Sequence, residues 1–306
     1  MKRFVLHIAF FVLLLSGAIT LSLLLIPNKK IPDNSLFASI DKHERLSSIV
    51  EPKIILVGGS NLPFGVKSKM VEESLGMPVV NMGLHAGLGM NFIFSEVEKD
   101  IHEGDIVVTS LEYQHYLSEP LYNGEDVLAA LLFDVNRDCR KYVSAGQWVA
   151  LVPNLALYGT KKLISFNSIP VDVFEDKFTR DSFNEYGDEV AHYGMASTIQ
   201  SKDESVLGPK VQKRSLRRLV QFKKYVEDKG AKFCLEPCPF PRRQFNADEQ
   251  SIRAIADGLE EIGIPFPADP ESYAYPDSLM FNSFFHLGET GAEMRTESLI
   301  QILKNI

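Results

Sequence analysis

The sequence predicts an α/β fold with a parallel central sheet, carried behind a single N-terminal membrane-spanning helix. Three observations support that reading. Short apolar runs end in glycine or polar turn residues, as strands buried on both faces do. Amphipathic stretches of helical period separate them, which is the rhythm of parallel strands joined by right-handed crossovers. Finally, Phe4–Ile26 holds 23 residues without one Asp, Glu, Lys or Arg.

That first segment is long enough to span. At about 1.5 Å rise per residue it crosses a hydrocarbon core of roughly 30 Å. Lys2 and Arg3 precede it and favour a cytoplasmic N-terminus, while Lys29 and Lys30 beyond it weaken the asymmetry. A cleaved signal peptide and a buried helix are the competing readings. A signal normally has an apolar region of about 7–15 residues and a small-x-small exit. This segment instead ends in Leu24, Leu25 and Ile26 before Pro27, and no Cys follows to carry a lipid. The expected organisation is an anchor over residues 1–26 and a linker and lead-in over 27–52, with Pro27–Asn34 as the linker proper. One α/β domain over 53–306 follows, with an insertion at about 113–209.

Within that domain, Lys53–Val57 reads as a buried strand ending in Gly58-Gly59. Val66–Leu75 is an amphipathic helix stopped by Gly76. Pro78–Asn81 is a second strand, Asn91–Ile101 has helical spacing, and Asp105–Thr109 is a third strand. From Tyr113 to about Pro209 the alternation breaks. That stretch is too long for one connection and reads as a largely helical insertion, of the kind that forms lids or substrate walls. Val127–Phe133 and Gln147–Leu157 are its expected buried segments, and Arg180–Tyr193 an ordered loop. The rhythm resumes with a basic amphipathic helix over Val211–Lys229 and a strand over Lys232–Leu235. Helices over Ala247–Ile262 and Thr290–Leu303 complete the chain.

Charge narrows the partners. Residues 1–26 carry two basic and no acidic side chains, so the rest has 30 basic and 40 acidic residues and a net charge of −10. Nucleic-acid binding needs a basic surface to replace phosphate counterions, which this balance opposes. Broad adhesion to anionic headgroups is disfavoured for the same reason. Cys139, Cys234 and Cys238 form neither a zinc pattern nor a C-x-x-C pair; free thiols or one disulfide both fit.

Two places can carry chemistry. Ser60 follows a buried strand directly, at the carboxyl edge where α/β folds assemble their sites, and its N–H could help hold an oxyanion. The alternative is a glycine-rich turn in which Ser60 only caps the next helix. At the other end His286 stands in a loop before the last helix, where it could serve as the base that a serine hydroxyl needs. A structural histidine is the alternative there.

Taken with the middle of the chain, these segments resemble the SGNH/GDSL hydrolase superfamily over about 53–110 and 211–306. Gly58-Gly59-Ser60-Asn61 is similar to its first block, with Gly59 in place of the usual aspartate. Asn81-Met82-Gly83-Leu84-His85-Ala86-Gly87 is similar to its second block, and Phe281–Gly291 to its last. The resemblance implies a flavodoxin-like three-layer domain, Ser60 as nucleophile, His286 as base, and Gly83 as a second oxyanion donor beside Ser60. It is nearest to a membrane-anchored bacterial branch associated with cell-envelope polymers, including proteins that support D-alanylation of teichoic acids. Phe183–Asp188 is also similar to a segment of that branch, which makes Asn184 and Asp188 candidate site neighbours.

Two departures stand out. The third block's asparagine is absent, because the strand exits into Ser110-Leu111-Glu112-Tyr113. Glu112 could orient a hydroxyl, bind a cationic substrate group, or form a structural ion pair. The acid three or four residues before His286 is replaced by Ser283 and Asn282, so a Ser–His dyad or an acid from elsewhere, such as Asp277, would have to serve. In a serine-protease triad the Asp-to-Asn change costs about 10⁴ in turnover.

The resulting expectation is an extracytoplasmic serine esterase or O-acyltransferase, facing the periplasm or the cell surface. It would act on acyl esters of a cell-surface glycan or related polymer and need no metal or organic cofactor. The rival is a catalytically weak or inactive SGNH-like binding module that partners a membrane acyltransferase. An unrelated flavodoxin-like fold without serine chemistry is the third reading.

Overall fold

The computed structural model describes residues 1–27, 34–165 and 178–306. Most of the expected linker, Pro27–Asn34, therefore lies outside the described residues. The chain starts with helix α1 (Lys2–Leu25), whose apolar side chains are exposed along most of its length, from Phe4 at 67% to Leu25 at 71%. Helix α2 (Ala38–Ser48) follows within what reads as a lead-in; it buries Ala38 and Leu46 in the core.

Four strands build the central sheet: β1 (Ile54–Gly58), β2 (Val79–Asn81), β3 (Ile106–Ser110) and β4 (Lys232–Leu235). Their order is β2-β1-β3-β4 and every pairing is parallel, as the apolar runs require. Alternation along β1 divides the core. Ile55 and Val57 face one side with Phe92, Phe94 and Phe222, while Ile54 and Leu56 face the other with Val71, Leu299 and Leu303.

Helix α3 (Ser68–Leu75) lies in that second layer and stops at Gly76, whose φ of +66° is the left-handed cap expected there. Helix α4 (Met90–Ser95) lies in the first layer and ends sooner than the spacing over 91–101 suggests; a 3-10 turn at Glu98–Asp100 completes the stretch. The inserted segment contains three short helical turns, α5 (Gln114–Leu117), α6 (Pro120–Asn123) and α7 (Asp126–Ala130), then the long helix α8 (Ala145–Ser165). Its Val127–Phe133 stretch is buried in the same core as the sheet. Gln147–Leu157, expected to be buried, is buried on one face only: Val149 is 74% and Val152 56% exposed.

Helices α9 (Lys213–Asp228), α10 (Arg242–Glu261) and α11 (Glu289–Leu303) close the domain. Helix α10 begins five residues before the expected Ala247, directly after Pro241. A small parallel pair, β5 (Phe240–Pro241) with β6 (Ala274–Tyr275), lies outside the main sheet.

Candidate active site

In this strand order the chain leaves β1 toward β2 on one side and returns to β3 on the other. The crevice between the carboxyl ends of β1 and β3 is therefore the topological switch point, where open α/β sheets bind ligands. Gly58 pairs with Ser110 in register, so the residues two steps beyond, Ser60 and Glu112, emerge side by side. A cavity of about 430 Å³ opens there. Ser60, His85, Glu112, Asn282 and His286 line it together with Phe64 and Phe178.

Buried charge fixes the turn that displays Ser60. The Asn61 N–H donates to Glu112 Oε1 (3.1 Å), and Asn61 Nδ2 donates to Ser110 O (3.0 Å). Arg295, fully buried on α11, donates through Nη1 to Asn61 O (2.7 Å) and through Nη2 to Asn61 Oδ1 (3.0 Å). Its charge is met by buried Glu236, just beyond β4, at 2.7 Å. Arg295 and Glu236 thus satisfy each other, which is what makes their buried charge tolerable. Glycine is required at position 59 because a Cβ there would lie 2.3 Å from Glu112 Oε2. The carboxylate at this turn is thus supplied by the exit of β3, in space that a side chain at 59 would need. Glu112 Oε2 also lies 3.3 Å from His115 Nδ1, an ion-pair distance.

The loop that carries His286 is joined to the same turn. Leu287 N–H donates to Phe64 O (2.9 Å), and the His286 ring stacks on Phe64 with centroids 4.2 Å apart and planes at 8°. His286 Nδ1 lies 2.7 Å from Asn282 Oδ1. With a carbonyl oxygen as acceptor, the proton sits on Nδ1 and Nε2 keeps its lone pair, the tautomer a general base needs. Burial, helped by nearby His192 and His85, pushes the His286 imidazolium down to about 3. The ring is therefore neutral at physiological pH, and no carboxylate offsets the cost of charging it.

A second buried pair holds that loop from behind. His192 and Glu189 are both fully enclosed; His192 Nδ1 contacts Glu189 Oε2, and Nε2 lies 3.1 Å from Leu287 O. Glu189 N–H donates to Pro63 O (3.0 Å), so this segment ties the Ser60 turn to the His286 loop. On the cavity wall, His85 Nδ1 accepts from Gly87 N–H (2.8 Å), which leaves the proton of a neutral ring on Nε2.

Of the residues singled out in the sequence, Ser60, His286, Asn282 and Glu112 meet around the cavity. Gly83 does not serve as expected: its N–H donates to Asn81 Oδ1 (3.1 Å). It packs beneath the Ser60 turn, where a Cβ would meet Leu62 Cβ at 2.6 Å. Asn184 and Asp188 also lie elsewhere. Asp188 accepts from Ser68 N–H (2.8 Å), Ser68 Oγ (2.6 Å) and Asn81 Nδ2 (2.9 Å), fastening the start of α3 to β2. Asn184 Oδ1 accepts from the N–H groups of Tyr186 and Asp188 within the same tight turn. Asp277 is bound by Ser201, whose N–H and Oγ both donate to it, and does not face His286. The three cysteines are buried free thiols.

Arg295, Glu236, His192 and Glu189 were not singled out in the sequence. Glu236 had a usable signal, since it stands just past a strand's carboxyl end as Ser60 and Glu112 do. Among the described residues no cluster of three or more His, Cys, Asp or Glu could hold a metal ion. No protein-family model matches the chain, and no curated protein matches it.

Proposed function

We propose that the chain is an extracytoplasmic serine esterase or O-acyltransferase, tethered by α1 and acting on acyl esters of a cell-surface glycan or related polymer. The observation that carries this reading is the Asn282–His286 contact of 2.7 Å on a cavity wall shared with Ser60. Ser60 Oγ attacks the ester carbonyl and His286 Nε2 takes its proton. The proton then goes to the departing alkoxide, leaving an acyl-Ser60 intermediate. Water or a sugar hydroxyl releases the acyl group in the second half-reaction, giving hydrolysis or transfer. The Ser60 N–H is one oxyanion donor. Because Gly83 is engaged by Asn81, we assign the second to Ala86, the first residue of a 3-10 turn on the cavity wall.

The tether supports the polymer substrate and the outward orientation: α1 is a 24-residue helix with an apolar window of mean hydropathy 2.6, only 11% buried. Lys2 and Arg3 favour a cytoplasmic start, an asymmetry that Lys29 and Lys30 weaken.

The amide in place of a carboxylate favours a second reading, a weakly active or inactive SGNH-like module that partners a membrane acyltransferase. The Asn282→Asp variant separates the two. Measurable hydrolysis of a chromogenic acyl ester by the native chain, abolished by Ser60→Ala and increased by Asn282→Asp, supports catalysis. No hydrolysis in either the native chain or Asn282→Asp, with both folded, supports the binding role.

A further inference from the structure

The inserted helix α8 carries an apolar surface that the esterase chemistry does not use. Residues 145–160 contain no charged side chain. Val149 is 74%, Val152 56% and Leu157 50% exposed, at spacings that place them on one helix face; Ile164 extends that face at 77%. Soluble surfaces rarely present so continuous an apolar strip.

That strip lies beside α1. Ser22 Oγ on α1 donates to Gly159 O at 2.7 Å. Glycine at 159 permits the approach, since a Cβ there would lie 2.8 Å from Ile19 Cγ2. On α1 itself the exposed apolar residues flank this contact on both sides: Phe4 to Leu15 before it, and Leu21, Leu24 and Leu25 around and beyond it. Hydrocarbon that covers Leu21 and Leu24 therefore also covers the adjoining face of α8. Between the helices is a cleft of about 560 Å³ lined by Ile19, Leu23, Phe133, Trp148, Val152 and Leu155. Its size is that of a small-molecule pocket and its wall is largely apolar apart from Ser16, Thr20 and the Arg140 guanidinium.

We infer that α8 is a second membrane-embedded element, lying in the outer leaflet against α1, and that the cleft between them is filled by the acyl chain of a bilayer lipid. This rests on the membrane-anchor reading of α1 and adds to it a fixed seat for the catalytic domain on the bilayer.

Trp148 is the chain's only tryptophan and lines the cleft, so the native protein carries its own probe. The full chain, reconstituted in phosphatidylcholine–phosphatidylglycerol vesicles, is titrated with the same lipids brominated at mid-chain. The inference predicts that bromolipid quenches at least half of the Trp148 emission while aqueous acrylamide quenches little. The companion variant, Trp148→Phe with Phe10→Trp, reports on α1 alone. Quenching of that variant without quenching of Trp148 would overturn the inference and leave the anchor standing. If the unquenched chain were also recovered as a cross-linked pair, the strip would belong to a second copy. Quenching of neither would remove the anchor as well.

Discussion

The turn that displays Ser60 and the loop that displays His286 are fastened by opposite kinds of chemistry. The turn rests on ions: the Arg295–Glu236 pair and the Glu112 carboxylate surround Asn61 with buried charge. The His286 ring, in contrast, meets an amide of its own loop, Asn282, and the aromatic face of Phe64 from the Ser60 turn. The loop's ion pair, Glu189–His192, grips the backbone of Leu287 instead. Charge in this site is thus invested in position and withheld from the group that would have to become charged during catalysis. Burial, with no carboxylate to offset it, holds His286 depressed, and several changes can break or sharpen the contrast.

The largest effect is expected from moving charge to the base. Asn282→Asp should raise the His286 value from about 3 toward the ordinary histidine range. Esterase turnover should rise by about 10²-fold or more, bounded by the roughly 10⁴ that the reverse change costs a protease triad. The pH profile gives the sign: a protonated ring cannot accept the serine proton, so activity falls as pH drops through the His286 value. The acid limb of the native chain should lie near pH 3 and that of Asn282→Asp well above it. Identical limbs would show that His286 is not the base.

Removing charge from the turn comes next. Arg295→Met leaves Glu236 buried without its partner, and such broken pairs cost about 3–5 kcal/mol. Urea unfolding should show that loss, and Arg295→Met with Glu236→Leu should recover much of it. A cost below about 1 kcal/mol would mean that the lattice does not hold the turn.

Gly59→Ala should have a smaller effect, roughly 1–3 kcal/mol for an overpacked site. Because the new methyl meets the Glu112 carboxylate, combining it with Glu112→Ala should cost less than the two separate losses added together. Strict additivity would deny the contact.

The smallest effect is a slope. Between pH about 6 and about 4 the unfolded chain protonates its histidine at 286 while the folded chain does not. Stability therefore declines as pH falls through that window. His286→Gln should reduce the slope by at most about 1.4 kcal/mol per pH unit, the value for one proton. An unchanged slope would place the depressed value in doubt.

Much of this architecture was legible in the sequence because it depends on local pattern. Ile54–Val57 and Ile106–Thr109 are apolar without interruption, which only a strand covered on both faces needs. Ser60 and His286 could be placed because one follows a strand and the other precedes a helix. The pair β5 and β6 escaped notice because two residues each, one a proline, carry no period. Helix α2 was hidden because half of what it buries is polar: Ser39 and Lys42 are buried beside Ala38 and Leu46. The ionic lattice was less legible still. An arginine in a last helix reads as solvent-facing, and only the fold brings Arg295 to Asn61 across more than 200 residues of chain. Gly83 shows the limit of motif reasoning: its position resembles that of a motif glycine, but its N–H is committed locally to Asn81.

The central claim is that Ser60 is a nucleophile served by His286, and a fluorophosphonate probe tests it most directly. Labelling of the purified full chain, located by peptide mass spectrometry, is expected at Ser60, lost in Ser60→Ala, strongly reduced in His286→Ala and faster in Asn282→Asp. Undiminished labelling of Ser60→Ala, or an adduct on another residue, would contradict the account.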